Sequence, residues 1–275
     1  MTKAVFSCKM IAVLGLALNF GFVLQGQGPR QDDEPVSSSH SVKLREGALS
    51  YKAQAGYLSI RDEQQQVHGR MFYVSYSSSP ASAAGKRPLV FIWNGGPGSN
   101  AGLLELGAMG PRRLPDHLPG TGTSGALVDN EATWLRFADL VFVDPIFTGY
   151  SYALTPEYQH DFLSDRGDAD SVAEFIRLYR ARFQAEGQPV YLVGESYGTY
   201  RAVGVADVLS KRHVPVAGIM LLSTILSFSR PADLSQAFLL PNYAATAFAQ
   251  HRGQYDAANV DAVITEAEHM PPDLT

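Results

Sequence analysis

A serine set between two glycines, Gly194-Glu195-Ser196-Tyr197-Gly198, joins an apolar run at 189–193 to a helix-forming stretch from Tyr197 onward. A nucleophilic serine needs this arrangement. A sharp strand-to-helix turn requires small residues on both sides of the nucleophile, because larger side chains would clash. The turn pushes the hydroxyl out of the sheet and sets it at a helix N-terminus. There the unsatisfied N–H groups and the helix dipole favour a developing negative charge. The five residues alone would also suit an inert turn; the strand before them and the helix after them give the pattern its weight. A second chemical signal is Trp93-Asn94-Gly95-Gly96-Pro97-Gly98-Ser99, which closes an earlier apolar run. A tetrahedral oxyanion needs two backbone donors. Tyr197, the residue after the serine, supplies one. A glycine-rich loop that approaches closely without Cβ atoms supplies the other, and Gly95 and Gly96 meet that demand.

These residues need elements to hold them. The runs 88–96, 139–147, 189–196 and 216–224 are continuously apolar, which is the pattern of strands buried on both faces. "AGYLSIRD" and "HGRMFYVSYSS" alternate instead, and predict a half-buried hairpin. Between the buried runs, 165–186 places Val172, Phe175, Ile176, Tyr179 and Phe183 three or four apart, with Asp165 as N-cap and Gly187 as stop. A second helix is expected over 197–212. Hydrophobic strands alternating with helices predict an α/β fold, a mostly parallel sheet with helices on both faces. Residues 27–50, rich in Gln, Gly, Pro, Ser and acids, read as a flexible linker, with the core starting at 51.

Composition narrows the function classes. The chain has 275 residues, 45% hydrophobic and 18% charged, enough for one sizeable core. Its net charge of −5 carries no basic run, and the aromatics do not interleave with Lys and Arg, so nucleic acid is not an expected partner. The N-terminus has Lys3 and Lys9, an apolar stretch at 11–24 and then a small, polar "QGQGPRQDDEP". That stretch is shorter than the ~20 apolar residues of a membrane span. Residues 1–26 are expected to be an export signal, with a secreted or periplasmic product and no stable membrane association once the signal is cleaved. The alternative is an uncleaved anchor. The sole cysteine, Cys8, precedes the apolar stretch, so the mature chain would have no disulfide and no metal–thiolate site. No cofactor and no metal are implied.

Taken in order, "WNGGPGSN", "LVDNEATWLRFADLVFVDPIFTGYSYA" and "GESYGTYRA" resemble the serine carboxypeptidases, an α/β-hydrolase family. The resemblance covers roughly 51–243, and the lack of cysteine after the expected signal suggests a bacterial secreted member. It implies Ser196 as nucleophile, and the Gly96 and Tyr197 N–H groups as the oxyanion hole. It further implies that Asn94, Glu195 and the Gly95 backbone bind the terminal carboxylate of a peptide substrate, while Gly149 and Tyr150 line the pocket. A carboxylic acid donates to a carboxylate only when protonated, so acidic conditions would favour binding through Glu195. There are departures. Ser99 stands where the family often has Cys, and Phe147 replaces a usual glycine. Ala108 occupies the place of a glutamate usual in eukaryotic members, with Glu105 near it in sequence.

Catalysis also needs an acid and a histidine after the serine. Asp207, Asp233, Asp256, Asp261, Asp273, His213, His251 and His269 follow Ser196. Asp256 and His269 have the right order, but the stretch between them is too short for the strand and helix that separate those roles. No further buried strand follows 216–224, and 231–275 resembles the start of the family's inserted cap. The expectation is therefore a carboxypeptidase chain truncated at its C-terminus, with the triad Asp and His absent and activity weak or lost. An esterase or acyltransferase on the same fold, or a non-catalytic remnant, are the alternatives.

Overall fold

The structure is a computed structural model that describes residues 34–78, 86–115, 126–225, 232–252 and 258–269. Ten strands and five α-helices follow one another along these segments. The first three strands, β1 (Val36–Leu44), β2 (Gly47–Arg61) and β3 (Val67–Ser78), form an antiparallel meander. Next come β4 (Leu89–Trp93), a short α1 (Gly102–Leu104) and a π-helical turn at Glu105–Met109. A small antiparallel pair, β5 (Arg112–Arg113) with β6 (Val128–Asp129), stands apart from the main sheet. Then follow β7 (Asp139–Val143), β8 (Tyr152–Ala153), α2 (Asp165–Arg182), β9 (Val190–Glu195), α3 (Tyr197–Lys211) and β10 (Val216–Leu222). The described chain closes with α4 (Ala232–Ala249) and α5 (Val260–Glu268), which contact each other.

The main sheet runs in the order β1-β2-β3-β7-β4-β9-β10, with β8 paired to β3. β7, β4, β9 and β10 are mutually parallel, and β3 meets β7 antiparallel. β4 lies at the centre of the parallel part, and every one of its residues is buried. Its side chains alternate between two cores. Leu89, Phe91 and Trp93 face a core with Val172, Phe175, Ile176 and Tyr179 of α2 and Ala202, Val205 and Leu209 of α3. Val90 and Ile92 face a second core with Leu104, Met109, Leu135 and, from β1, Val42 and Leu44. A strand covered on both faces must be apolar throughout, which is why these runs show no alternation. The long helices α2 and α3 cover one face; α1, the π-helical turn, a 3-10 turn at Trp134–Arg136 and the curled meander cover the other.

Three boundaries differ from the expectations. The segment 27–50 is not a linker from Val36 onward: β1 pairs with β2 residue by residue, and Val42 and Leu44 are buried. The serine-rich composition hides a strand whose first residues point to solvent while its end reaches the core. The N-cap of α2 is Ser164, not Asp165. Ser164 is extended, and its hydroxyl accepts the Gly167 N–H at 3.0 Å, while Asp165 and Asp168 sit in the first turn where they complement the dipole. The helix stops at Arg182, short of Gly187. The expected signal at 1–26 lies outside the described residues.

Candidate active site

Ser196 sits where β9 becomes α3, at φ 55° and ψ −123°, a backbone region that non-glycine residues rarely adopt. Its surroundings fix it there. The Ser196 N–H donates to the Leu222 carbonyl of β10 at 2.9 Å, and the Ser196 carbonyl accepts the Thr199 N–H at 2.9 Å. A Cβ on Gly194 would overlap the Gly198 carbonyl, and one on Gly198 would lie 2.9 Å from the Asn94 oxygen. The glycines of the motif are thus demanded by sterics on both sides of the serine.

The glycine loop after β4 presses against this elbow. A Cβ on Gly95 would lie 2.6 Å from both the Tyr197 nitrogen and the Glu195 oxygen, and 3.0 Å from Ser196 Cβ. Asn94 is fully buried; its Oδ1 accepts the Leu104 N–H at 3.2 Å and its Nδ2 donates to Glu195 Oε2 at 3.2 Å. The Gly95 carbonyl accepts the Ser99 N–H at 3.0 Å. The fold therefore brings Asn94, Gly95, Gly96, Glu195, Ser196 and Tyr197 into one cluster from two parallel strands in register, Trp93 being paired with Gly194.

Gly149 and Tyr150 are joined to the loop through a residue the sequence reading passed over. Asp144, buried at the end of β7, accepts the Ala101 N–H at 2.9 Å through one carboxylate oxygen and the Tyr150 N–H at 3.2 Å through the other. Gly149 has φ +49°, and a Cβ there would overlap that same carboxylate. Tyr150 itself is exposed and meets the Phe72 ring edge-on at 5.1 Å between centroids. Phe147 adopts φ 69°, a left-handed conformation that suits glycine, and its side chain is partly exposed.

The charges around the cluster are perturbed. Burial raises Asp144, against the pull of its two backbone donors. Burial also raises Glu105, opposed by its hydrogen bond from the Tyr76 hydroxyl at 2.6 Å and reinforced by the neighbouring Asp144. Glu105 opens the π-helical turn, where the Gly110 N–H reaches back five residues to the Glu105 carbonyl at 2.9 Å. Its side-chain hydrogen bond goes to Tyr76 on the sheet. On the other side of the elbow Asp168 is raised by burial, with the adjoining Arg201 opposing the shift. Burial and Asp168 push the Tyr197 hydroxyl up to about 12. Arg201 and Asp144 stand inside stretches that carry the resemblance but have no role assigned there, and Asp168 and Tyr76 lie outside those stretches; an unexplained charge in an apolar-spaced helix is the only sequence signal for Arg201 and Asp168.

Among the described residues, no hydrogen bond joins the Ser196 hydroxyl to a histidine. Asp207 pairs with Lys211 on the surface of α3 at 2.6 Å. His213 follows that helix, His251 follows α4, and the ring of His269 bonds the Thr265 carbonyl at 2.6 Å. Asp261 lies in the first turn of α5. The side chain of Asp233 and residues Asp256 and Asp273 lie outside the described residues. His68 on β3 does sit between two carboxylates, Asp161 at 2.5 Å and Asp62 at 3.1 Å, with its ring stacked on Tyr158. That cluster ties the β2–β3 turn to the segment before α2 and makes no hydrogen bond to the elbow. No group of three or more metal-ligating side chains occurs among the described residues.

Comparison with known proteins places this geometry in context. A family profile described as serine carboxypeptidase matches residues 44–217, more than half of the chain. The chain is similar to the pheromone-processing carboxypeptidase kex1 of Aspergillus oryzae, 32% identical over 220 residues, which is 77% of this chain and 33% of that protein. It is 28% identical over 210 residues to the serine carboxypeptidase-like 5 protein of Arabidopsis thaliana, covering 74% of this chain and 44% of that one. Among solved structures, Kex1(delta)p, a prohormone-processing carboxypeptidase from Saccharomyces cerevisiae, aligns with a TM-score of 0.54 at 19% identity, covering 79% of this chain and 46% of that chain. That likeness shows the fold, an α/β-hydrolase sheet with its helices. The chain spans less than half the length of these three proteins.

Proposed function

The chain belongs to the serine carboxypeptidase family, and from that premise we propose that Ser196 attacks the last peptide bond of a substrate and forms an acyl-enzyme. The observation that carries this reading is the strained Ser196 backbone held against the Asn94–Gly96 loop. The Gly96 and Tyr197 N–H groups stabilise the oxyanion, and the glycine at 95 lets the loop come that close. Asn94, Glu195 and the Gly95 N–H bind the terminal carboxylate, and the 3.2 Å bond from Asn94 to Glu195 holds the two side chains together for that task. Gly149 and Tyr150 border the pocket, placed by Asp144. An anion receptor beside the nucleophile suits a peptide with a free C-terminus better than a neutral ester.

The serine also needs a base to take its proton and an acid to orient that base. With no histidine bonded to Ser196 among the described residues, the chain by itself is a weak catalyst. Its oxyanion donors and binding groups supply on the order of 10³–10⁴-fold over water, the residual found when a triad member is removed. We infer that residues 231–275 contribute to a cap insertion and that 1–26 direct export to a secreted or periplasmic location. Among the described residues no helix is long and apolar enough to cross a membrane. The test is turnover of N-blocked dipeptides by the full chain. Slow release of the C-terminal residue, lost in Ser196→Ala, agrees with the reading. Release that persists in Ser196→Ala sinks the nucleophile, and rapid labelling by a fluorophosphonate sinks the unassisted serine. Asn94→Ala should harm peptide acids more than esters of neutral alcohols; equal harm would favour an esterase.

A further inference from the structure

Arg201 is only 3% exposed, and it is the one charged residue among the buried residues of α3. Its Nε donates to both Asp168 oxygens, at 2.9 and 2.8 Å, and one terminal nitrogen donates to the Asn94 carbonyl at 3.1 Å. The guanidinium also lies 5.1 Å from the centre of the Tyr197 ring. A buried ion pair is weak evidence for stability, because desolvation offsets much of the attraction. The informative contact is the third one. It reaches the buried carbonyl of the residue that precedes Gly95, beside the proposed carboxylate site.

A trans peptide is planar, so its C=O and N–H point in opposite directions. The Asn94 carbonyl shares its plane with the Gly95 N–H. Held toward α3 by Arg201, the carbonyl forces that N–H to point the other way. The next plane is held in the same manner, since the Gly95 carbonyl accepts the Ser99 N–H and this fixes the direction of the Gly96 N–H. Consecutive glycines are where the backbone rotates most freely. A rotated Asn94–Gly95 plane would present an oxygen, not a donor, to an incoming carboxylate. A planar guanidinium fork can hold a carboxylate and a carbonyl at once, which a single ammonium does less well.

Resting on the carboxypeptidase reading, we propose that Arg201, braced by Asp168, is a positioning residue that aims the Gly95 N–H at the terminal carboxylate of the substrate. The test is calorimetric binding of N-benzoyl-glycyl-phenylalanine and of its C-terminal amide to the full chain. The wild type should prefer the acid by on the order of tenfold or more, the worth of hydrogen bonds to a charged group. Arg201→Lys keeps a charge beside Asp168, and Arg201→Gln with Asp168→Asn removes both charges together. In whichever variant melts within a few degrees of the wild type, preference for the acid should fall about tenfold while amide affinity stays put. A folded variant that keeps the preference overturns the inference and leaves the carboxypeptidase reading intact. Equal binding of acid and amide by the wild type overturns that reading and the inference with it. A measurement that needs no variant is the amide resonance of Gly95 in the wild type. It should shift with the acid and not with the amide; an unmoved resonance overturns the proposal.

Discussion

Gly95 has almost no room. Its missing Cβ is the space in which the Tyr197 nitrogen and the Glu195 carbonyl lie, so Gly95→Ala must push the loop off the elbow. Overpacking of that kind costs about 1–3 kcal/mol. The expected outcome is a lower melting temperature together with loss of Ser196-dependent turnover; an alanine variant as stable and as active as the wild type would refute the close approach. Glu105 makes a different prediction. Burial and Asp144 raise its carboxyl, so the folded state prefers the protonated form. That stabilising preference is fully present below the unfolded value and is lost as pH rises through the folded one. In a Glu105→Gln variant the side-chain amide still accepts from Tyr76 but cannot ionise. The melting temperature of the variant relative to the wild type should therefore climb with pH above about 4.5, the ordinary value. Asp168, also raised, is present in both proteins and cancels in the comparison, while Asp144, which is coupled to Glu105, is relieved in the variant and so changes the slope in the same pH range. A constant difference across that range would show that Glu105 does not titrate as its burial requires.

At the scale of elements, α2 carries the core that supports the elbow from behind. Phe175 and Tyr179 pack edge-on against Phe91 of β4 at 6.4 and 5.6 Å between ring centres, and Tyr179 does the same to Tyr73 of β3 at 5.4 Å. Asp168 on the first turns of this helix braces Arg201 on α3, so the start of α2 is coupled to the site. The start is fixed by Ser164. Ser164→Ala should cost about 1 kcal/mol in denaturant unfolding, the usual worth of an N-cap. Asp165→Ala removes no cap, only a favourable charge near the dipole and the exposed hydrogen bonds from the Tyr200 and Tyr197 hydroxyls, the latter long at 3.4 Å, and should cost less. The reverse order would return the cap to Asp165.

On the scale of the whole molecule, the described sheet has two edges, and they differ in kind. β1 is polar along its outer half, with Ser37, Ser38, Ser39 and His40 exposed. β10 is apolar, and Ile219 on it is 39% exposed. An apolar edge strand with open backbone groups is a template for association, and a lysine is a natural guard against it. Ile219→Lys should reduce concentration-dependent light scattering of the full chain with little change in its melting temperature. Unchanged scattering would mean that β10 is not where copies meet.

The sequence by itself determined the parallel strands, the two long helices and the serine elbow with its glycine loop. Each of these depends on residues adjacent or three to four apart, and burial on both faces or on one leaves its period in the chain. The family followed from the order of three such motifs. What the tertiary structure decided lies between residues far apart. Arg201 meets the Asn94 carbonyl across 107 positions, and Asp144 meets Ala101 across 43. A charged side chain read alone belongs in water, and only a folded partner supplies the compensation that lets it be buried. The same reason hid β1: a serine-rich segment looks like a linker until Gly47–Arg61 offers it a ladder of backbone partners.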